Sequence, residues 1–213
     1  MNRENDSHSS PLRGRTHSRI IIAHHLIFYA YGQWLPNDPR GSGSQEIREP
    51  KLEDLGEIHY GRKRVQPPRQ EIREFYRDAE PRLDFPTIWF DDAKRQAISE
   101  GFSQVVEENR YTVWGCAILR NHAHVCVRRH RDDGRTIWAR FTQGARNALR
   151  GCADIPDDHP VWGNRPYAVF LYAPEDVRRV ISYIAGNPAK DGLAPQSWSF
   201  VKPYDNFPFT NKS

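Results

Sequence analysis

Two stretches of the chain place chemically capable side chains at regular spacing. In RNHAHVCVR, residues 120–128, His122 and His124 alternate with apolar residues. Strand side chains alternate faces, so His122, His124, Cys126 and Arg128 share one side, while Ala123, Val125 and Val127 share the other. Alpha carbons two residues apart lie about 7 Å from each other, which lets two imidazoles converge on one divalent ion. Two polar histidines on the wet face of a strand would give the same pattern. In PEDVRRVISYIAGNP, residues 174–188, Val177, Val180, Ile181 and Ile184 recur as the apolar stripe of a helix. Tyr183 falls about 60° from Val180 around that helix, and Asn187 about 40° from Tyr183. A hydroxyl and a carboxamide oxygen thus stand side by side at the edge of a docked helix. The same two residues can also be read as an amphipathic tyrosine covering the core rim and an asparagine ending the helix before Pro188.

The elements that must position these groups follow from periodicity. IIIAHHLIFYAY, residues 20–31, is a β-branched and aromatic run expected as a central strand buried on both sides. His24 and His25 within it face opposite ways, so one alone can approach the histidine pair. Asp91 or Asp92 caps a helix reaching about Asn109, with Ala93, Ile98, Phe102, Val105 and Val106 as its stripe. YTVWGCAIL, residues 111–119, is a second strand. Residues 122–129 form a third, joined to it by a tight Arg120-Asn121 connection. A helix over residues 134–150 turns Ile137, Phe141, Ala145 and Ala148 one way and Arg135, Arg146 and Arg150 the other. YAVFLY, residues 167–172, is a fourth strand. The order strand, helix, strand, strand, helix, strand predicts an α+β fold of the ferredoxin-like kind: a four-stranded antiparallel sheet (βαββαβ), two helices on one face, and the tyrosine-bearing helix added at the C-terminal end.

With 213 residues the chain suits one domain with appendages. Residues 1–19 read as a disordered tail and 20–213 as a single domain, interrupted at about 38–90 by a proline-, glycine- and charge-rich insertion with one weakly helical piece near PPRQEIREFYRDAE. Arg62, Lys63 and Arg64 read as part of a flexible charged loop there. Cys116, Cys126 and Cys152 show no CxxC spacing, which excludes a disulfide framework or a zinc knuckle. The N-terminus lacks an apolar signal region, and no run of about twenty apolar residues occurs, so a cytoplasmic protein without a membrane segment is expected. The net charge of +4 is too modest to indicate nucleic-acid binding by itself. Between positions 110 and 150, however, every lysine-or-arginine position is arginine, opposed only by Asp132 and Asp133. Arginine is the side chain best shaped for phosphate. Trp114, Trp138 and Trp162 are candidates for stacking on bases, with burial the expected role for Trp114. Asp157, Asp158 and His159 read as a solvated loop.

NHAHV is similar to the HUH motif, and YIAGNPAKDGL resembles the tyrosine helix of single-strand DNA transposases of the insertion-sequence type, most closely the REP-associated tyrosine transposases. YGQWLPNDPRGS, after the first strand, is similar to a segment in a transposase-like branch of that family. Together these stretches span residues 20–193, the insertion apart. The resemblance implies that His122 and His124 ligate Mg²⁺ or Mn²⁺, that Asn187 supplies a third, oxygen ligand, and that Tyr183 is the nucleophile. It further implies cleavage and rejoining of single-stranded, hairpin-forming DNA through a 5′-phosphotyrosine, by a monomer or homodimer associated with the nucleoid when bound to DNA. Arg128, Arg135, Arg146 and Arg150 are the expected backbone contacts. The other readings are a non-catalytic ferredoxin-like nucleic-acid-binding module and a metal-dependent single-strand nuclease.

Overall fold

The computed structural model describes residues 20–150, 152, 154–164 and 166–208. The segment expected as an N-terminal tail lies outside these. Strands β1 (Ala23–Tyr29), β2 (Val113–Ile118), β3 (His122–Arg128) and β4 (Tyr167–Leu171) form one sheet in the order β2-β3-β1-β4, every neighbouring pair antiparallel. Helices α2 (Asp92–Asn109) and α3 (Gly134–Leu149) cross one face, preceded in the chain by α1 (Arg69–Ala79). Helix α4 (Pro174–Lys190) follows β4. This is the predicted α+β architecture. β1 is central, as its apolar composition requires.

The alternation of β3 divides the molecule into two layers. Val125 and Val127 pack with Phe28, Val113 and Ile118 against Ile98, Phe102, Ile137 and Phe141 of α2 and α3. On the other face Cys126, Trp114, Ala117 and Leu171 receive Val177 and Ile184 of α4. Trp114 is therefore buried, as expected. Trp162 is buried too, and Trp138 stacks on Phe28 with its Nε1 donating to the Ile27 carbonyl. Trp114 and Trp162 belong to the core, and Trp138 is half-buried against it. His159, expected in a solvated loop, is buried and bonds the Pro86 carbonyl at 2.9 Å.

Asp91 caps α2 by accepting from the Lys94 N–H at 2.8 Å. Ala93, expected on the apolar stripe, is exposed, and the stems of Lys94 and Arg95 are buried in its stead. Their ammonium and guanidinium groups reach Asp91, Asp154 and Asp92 at the surface, so the long aliphatic parts cover apolar area that a methyl group would leave open. Pro188 does not stop α4. The helix continues to Lys190 and ends where Gly192 turns left-handed and the Leu193 N–H returns to the Pro188 carbonyl at 2.8 Å. A proline withholds its own N–H but still leaves its carbonyl free to accept, and one more turn forms. The free edge of β2 is covered: Gln196 bonds both the N–H and the carbonyl of Ile118, and the Lys202 N–H donates to Val113.

The stretch between β1 and α2 carries a small core of its own, formed by Leu35, Leu52, Phe75 and Ala79. A buried carboxylate ties it together. Asp38 accepts from Arg40 Nε and Nη2 at 2.8 and 2.6 Å and from the Tyr76 hydroxyl at 2.5 Å. Backbone bonds from Ser42 to His59, Gly61 to Ser42 and Lys63 to Arg40 zip two arms of this lobe together, so Lys63, read as part of a flexible charged loop, is tied to Arg40 through its backbone.

Helices α2 and α3 touch at Gly101 and Gly144. A Cβ on Gly101 would fall 2.5 Å from the Gly144 carbonyl oxygen, whereas one on Gly186 of α4 would meet nothing within 4 Å. Overpacking of this kind costs about 1–3 kcal/mol, against about 1 kcal/mol gained in helix propensity from glycine to alanine. Gly101→Ala is expected to lower the urea midpoint despite that gain, and Gly186→Ala to raise it, with unchanged m-values in both.

Candidate active site

The register of β1 against β3 sets the site. Tyr29 stands opposite His122, Ile27 opposite His124 and His25 opposite Cys126, so His25 is the diagonal neighbour of His124 on the face that α4 covers. His24 points to the other layer, where its ring lies against Gly134 of α3. His25 Nε2 and His124 Nδ1 are 3.0 Å apart and share one hydrogen. His122 Nδ1 lies 2.7 Å from the Asn121 side-chain oxygen, which fixes it as N–H donor and leaves Nε2 with a lone pair. The rings of His122 and His124 stand nearly perpendicular with centroids 4.9 Å apart.

Helix α4 brings its tyrosine to this cluster. The ring of Tyr183 meets His124 edge to face with centroids 5.5 Å apart, and His25 at 6.1 Å. Tyr183 is 46% exposed, and its hydroxyl makes no hydrogen bond to any described residue. Asn187, one turn on, is buried, and its Oδ1 lies 3.3 Å from Lys190 Nζ. That ammonium also sits 4.6 Å from the centroid of the Tyr183 ring. Helix geometry therefore collects Tyr183, Asn187 and Lys190, spaced i, i+4 and i+7, on one line facing the histidines.

Burial governs the protonation of the cluster. His25 is lowered to about 4 by desolvation. His122 is lowered to about 4 by desolvation, with Arg40 adding to the fall and Asp191 opposing it. His124 is lowered to about 2, by desolvation first and then by His122, His25 and Lys190. All three imidazoles are neutral at pH 7, the form a metal ligand must have. Tyr29 is pushed up to about 12, by burial first and then by the phenols of Tyr167 and Tyr183.

Among the described residues no group of three His, Cys, Asp or Glu side chains is placed to hold a metal ion by itself. A cation here would take the two imidazoles and the Asn187 amide oxygen. His124 Nε2 is buried without a partner, and a buried orphan nitrogen beside a second free imidazole lone pair suits a cation ligand. Two imidazoles with one amide oxygen form a mixed nitrogen and oxygen donor set for a divalent cation.

The four expected arginine contacts are not brought together. Arg128 shares the histidine face, but its guanidinium lies 3.9 Å over the Phe207 ring and 3.8 Å from Asp205. Arg135 and Arg146 belong to α3 and Arg150 caps its C-terminal end, in the layer on the far side of the sheet. Lys190 was missed in the sequence although its i+7 spacing from Tyr183 was readable. His25 was weighed only as one of two alternatives.

No protein-family model matches this chain, and no curated protein matches it. One similar solved structure is a REP-associated tyrosine transposase bound to a REP hairpin, 14% identical over 94% of this chain and 81% of that one, with a TM-score of 0.42. That likeness is distant and assigns no residue a role. Among the described residues no helix is long and apolar enough to cross a membrane.

An unfolded histidine titrates near 6.5, so between about pH 6.5 and 4 the unfolded chain binds protons that the folded cluster refuses. The stability present above pH 6.5 is lost as pH falls through that window. In EDTA the urea midpoint is expected to fall steeply from about pH 7 to about pH 5. His25→Phe should flatten that fall, and an unaltered slope in the variant would show that the cluster does not carry it.

Proposed function

We propose that this protein cleaves and rejoins single-stranded DNA at hairpin-flanked sites through a 5′-phosphotyrosine on Tyr183, acting as a transposase-type strand transferase. The observation that carries this reading is the packing of the Tyr183 ring against His124, from a helix and a strand joined by nothing local in sequence. The motif resemblance of residues 121–125 and 183–193 supports it independently.

In this reading the half-exposed phenol attacks phosphorus while the bond to the 3′ oxygen breaks. The phenol proton passes to solvent, and the leaving oxygen takes one up as a free 3′ hydroxyl. The phosphodiester energy is kept in the tyrosyl ester, so attack by another 3′ hydroxyl reverses the step without a nucleotide cofactor. Lys190, within reach of both the phenol ring and the Asn187 amide, supplies positive charge where the pentavalent phosphorus accumulates negative charge. Bound at His122, His124 and Asn187, Mg²⁺ or Mn²⁺ would polarise the scissile phosphate and relieve its negative charge. His25 acts behind the ligand: the tautomer in which His124 Nδ1–H donates to His25 Nε2 is the one that frees His124 Nε2 as a lone pair.

Incubation with labelled hairpin DNA and Mn²⁺ should give an adduct that survives a denaturing protein gel and disappears in Tyr183→Phe. Released cut strand without adduct would identify a nuclease, and shifted intact DNA a binding module. His25→Ala should weaken Mn²⁺ binding in calorimetry by about 10- to 100-fold, the usual cost of losing an outer partner of a ligand. His24→Ala, on the opposite face, should leave it unchanged. Equal effects of the two would remove His25 from the scheme.

A further inference from the structure

The histidine pair and Tyr183 open into a cavity of about 730 Å³, far more than a phosphate fills and within the range of small-molecule sites. The sheet provides one wall through Tyr29 and Tyr167. The lobe between β1 and α2 provides the other, and at its closest it does so with bare backbone. A Cβ on Gly43 would lie 3.6 Å from the Tyr167 ring, and one on Gly41, at φ +87°, would fall 2.0 Å from the Gly61 carbonyl oxygen. Gly43 thus brings the lobe backbone up to the Tyr167 ring, where a methyl group would already be in contact, and Gly41 lets the two arms of the lobe meet backbone to backbone.

Its most constrained residue faces the same space. Trp34 adopts φ 52°, a left-handed conformation that a bulky side chain rarely takes. The Tyr76 hydroxyl holds it there by accepting from the Trp34 N–H at 2.8 Å, and that hydroxyl is in turn anchored on buried Asp38. The indole so placed packs beside the Tyr29 ring, with centroids 5.4 Å apart at a tilt of 44°, and carries the Arg40 guanidinium 3.8 Å from its centre. Strain kept by a buried polar network points to a role for the residue that is strained. Tyr167, 44% exposed at the start of the edge strand, offers a ring across the cavity, and Arg62 stands exposed on its rim.

We propose that this pocket binds one nucleobase of the DNA strand, the base beside the scissile phosphate, unstacked from its neighbours and laid against the wall of Tyr29, Trp34 and Tyr167. Aromatic faces stack on any base, Arg62 on the rim can meet an adjoining phosphate, and unstacking is cheap in an unpaired strand. The lobe rather than the sheet would then set which base is taken at the cleavage position. Placement beside the scissile bond rests on the Tyr183 reading, whereas base binding in the pocket does not.

The test uses Tyr183→Phe protein in EDTA, so that no cleavage intervenes. A hairpin oligonucleotide with a randomised unpaired arm is enriched on this protein, and an abasic site is then walked through the enriched arm while binding is followed by anisotropy. One position should weaken binding by at least about fivefold, the lower end of base–aromatic stacking. Tyr167→Ala in the same background should weaken the intact arm by a similar factor and erase the position dependence. Trp34→Leu serves as the second variant should the first unfold. No enrichment, a flat abasic profile, or a profile untouched by both variants overturns the pocket. Wild-type protein that forms no phosphotyrosine adduct, but retains the abasic profile in the Tyr183→Phe form, overturns the tyrosine chemistry and leaves the pocket standing.

Discussion

The seat of α4 on the sheet is the constraint on which the site depends. Val177 and Ile184 are buried against Trp114, Ala117, Cys126 and Leu171, and this contact fixes the rotation of the helix about its own axis. Burying two such side chains contributes about 1.5–3 kcal/mol each, far above the cost of any single polar contact at the rim. Tyr183 precedes Ile184 by one residue, about 100° around the helix, so the rotation that buries Ile184 leaves Tyr183 at the border facing β3. A turn of α4 sufficient to bury the phenol would expose the isoleucine. The half-exposed state of Tyr183 is thus a consequence of apolar packing, with no hydrogen bond required to hold it.

The same seat sets the electrostatics. Once α4 covers the face, His25, His122 and His124 lose water, and each is driven towards its neutral form by desolvation before any neighbouring charge is counted. Lys190 further opposes protonation of His124, while on His122 Asp191 favours it and Arg40 opposes it. Packing, neutrality and the direction of the lone pairs are therefore one effect seen three ways. His25 contributes by its position on the central strand, where the antiparallel register makes it diagonal to His124 and puts its Nε2 3.0 Å from His124 Nδ1.

Much of this was legible in the chain, for a physical reason: the sheet and its helices are built from periodic apolar patterns. The alternation in residues 122–128 separates the two layers correctly, and the phase of Tyr183 and Asn187 follows from the stripe of α4. The choice between His24 and His25 was not legible, because β1 is buried on both sides and its pattern carries no phase. The extension of α4 past Pro188 was hidden by a rule that concerns the missing N–H and is silent on the carbonyl. The lobe before α2 was hidden for a deeper reason. Its order comes from Asp38, Arg40 and Tyr76, residues up to 38 positions apart joined by directional polar bonds, and such bonds leave no period in the sequence.

The arginines show where linear reading misleads. Arg128 and the arginines of α3 are close in the chain, and charge counted along the sequence merges them into one basic region. The sheet lies between them. Arg128 faces α4 and is occupied by Phe207 and Asp205, while Arg135 and Arg146 ride on a helix whose inner side packs on the opposite surface of the same strands. Arg62 of the lobe stands on the rim of the cavity and Lys190 of α4 beside the Tyr183 ring, whereas no residue of α3 lines it. The basic groups within reach of the site thus come from segments that the chain keeps far apart, and only the fold brings them around one cavity.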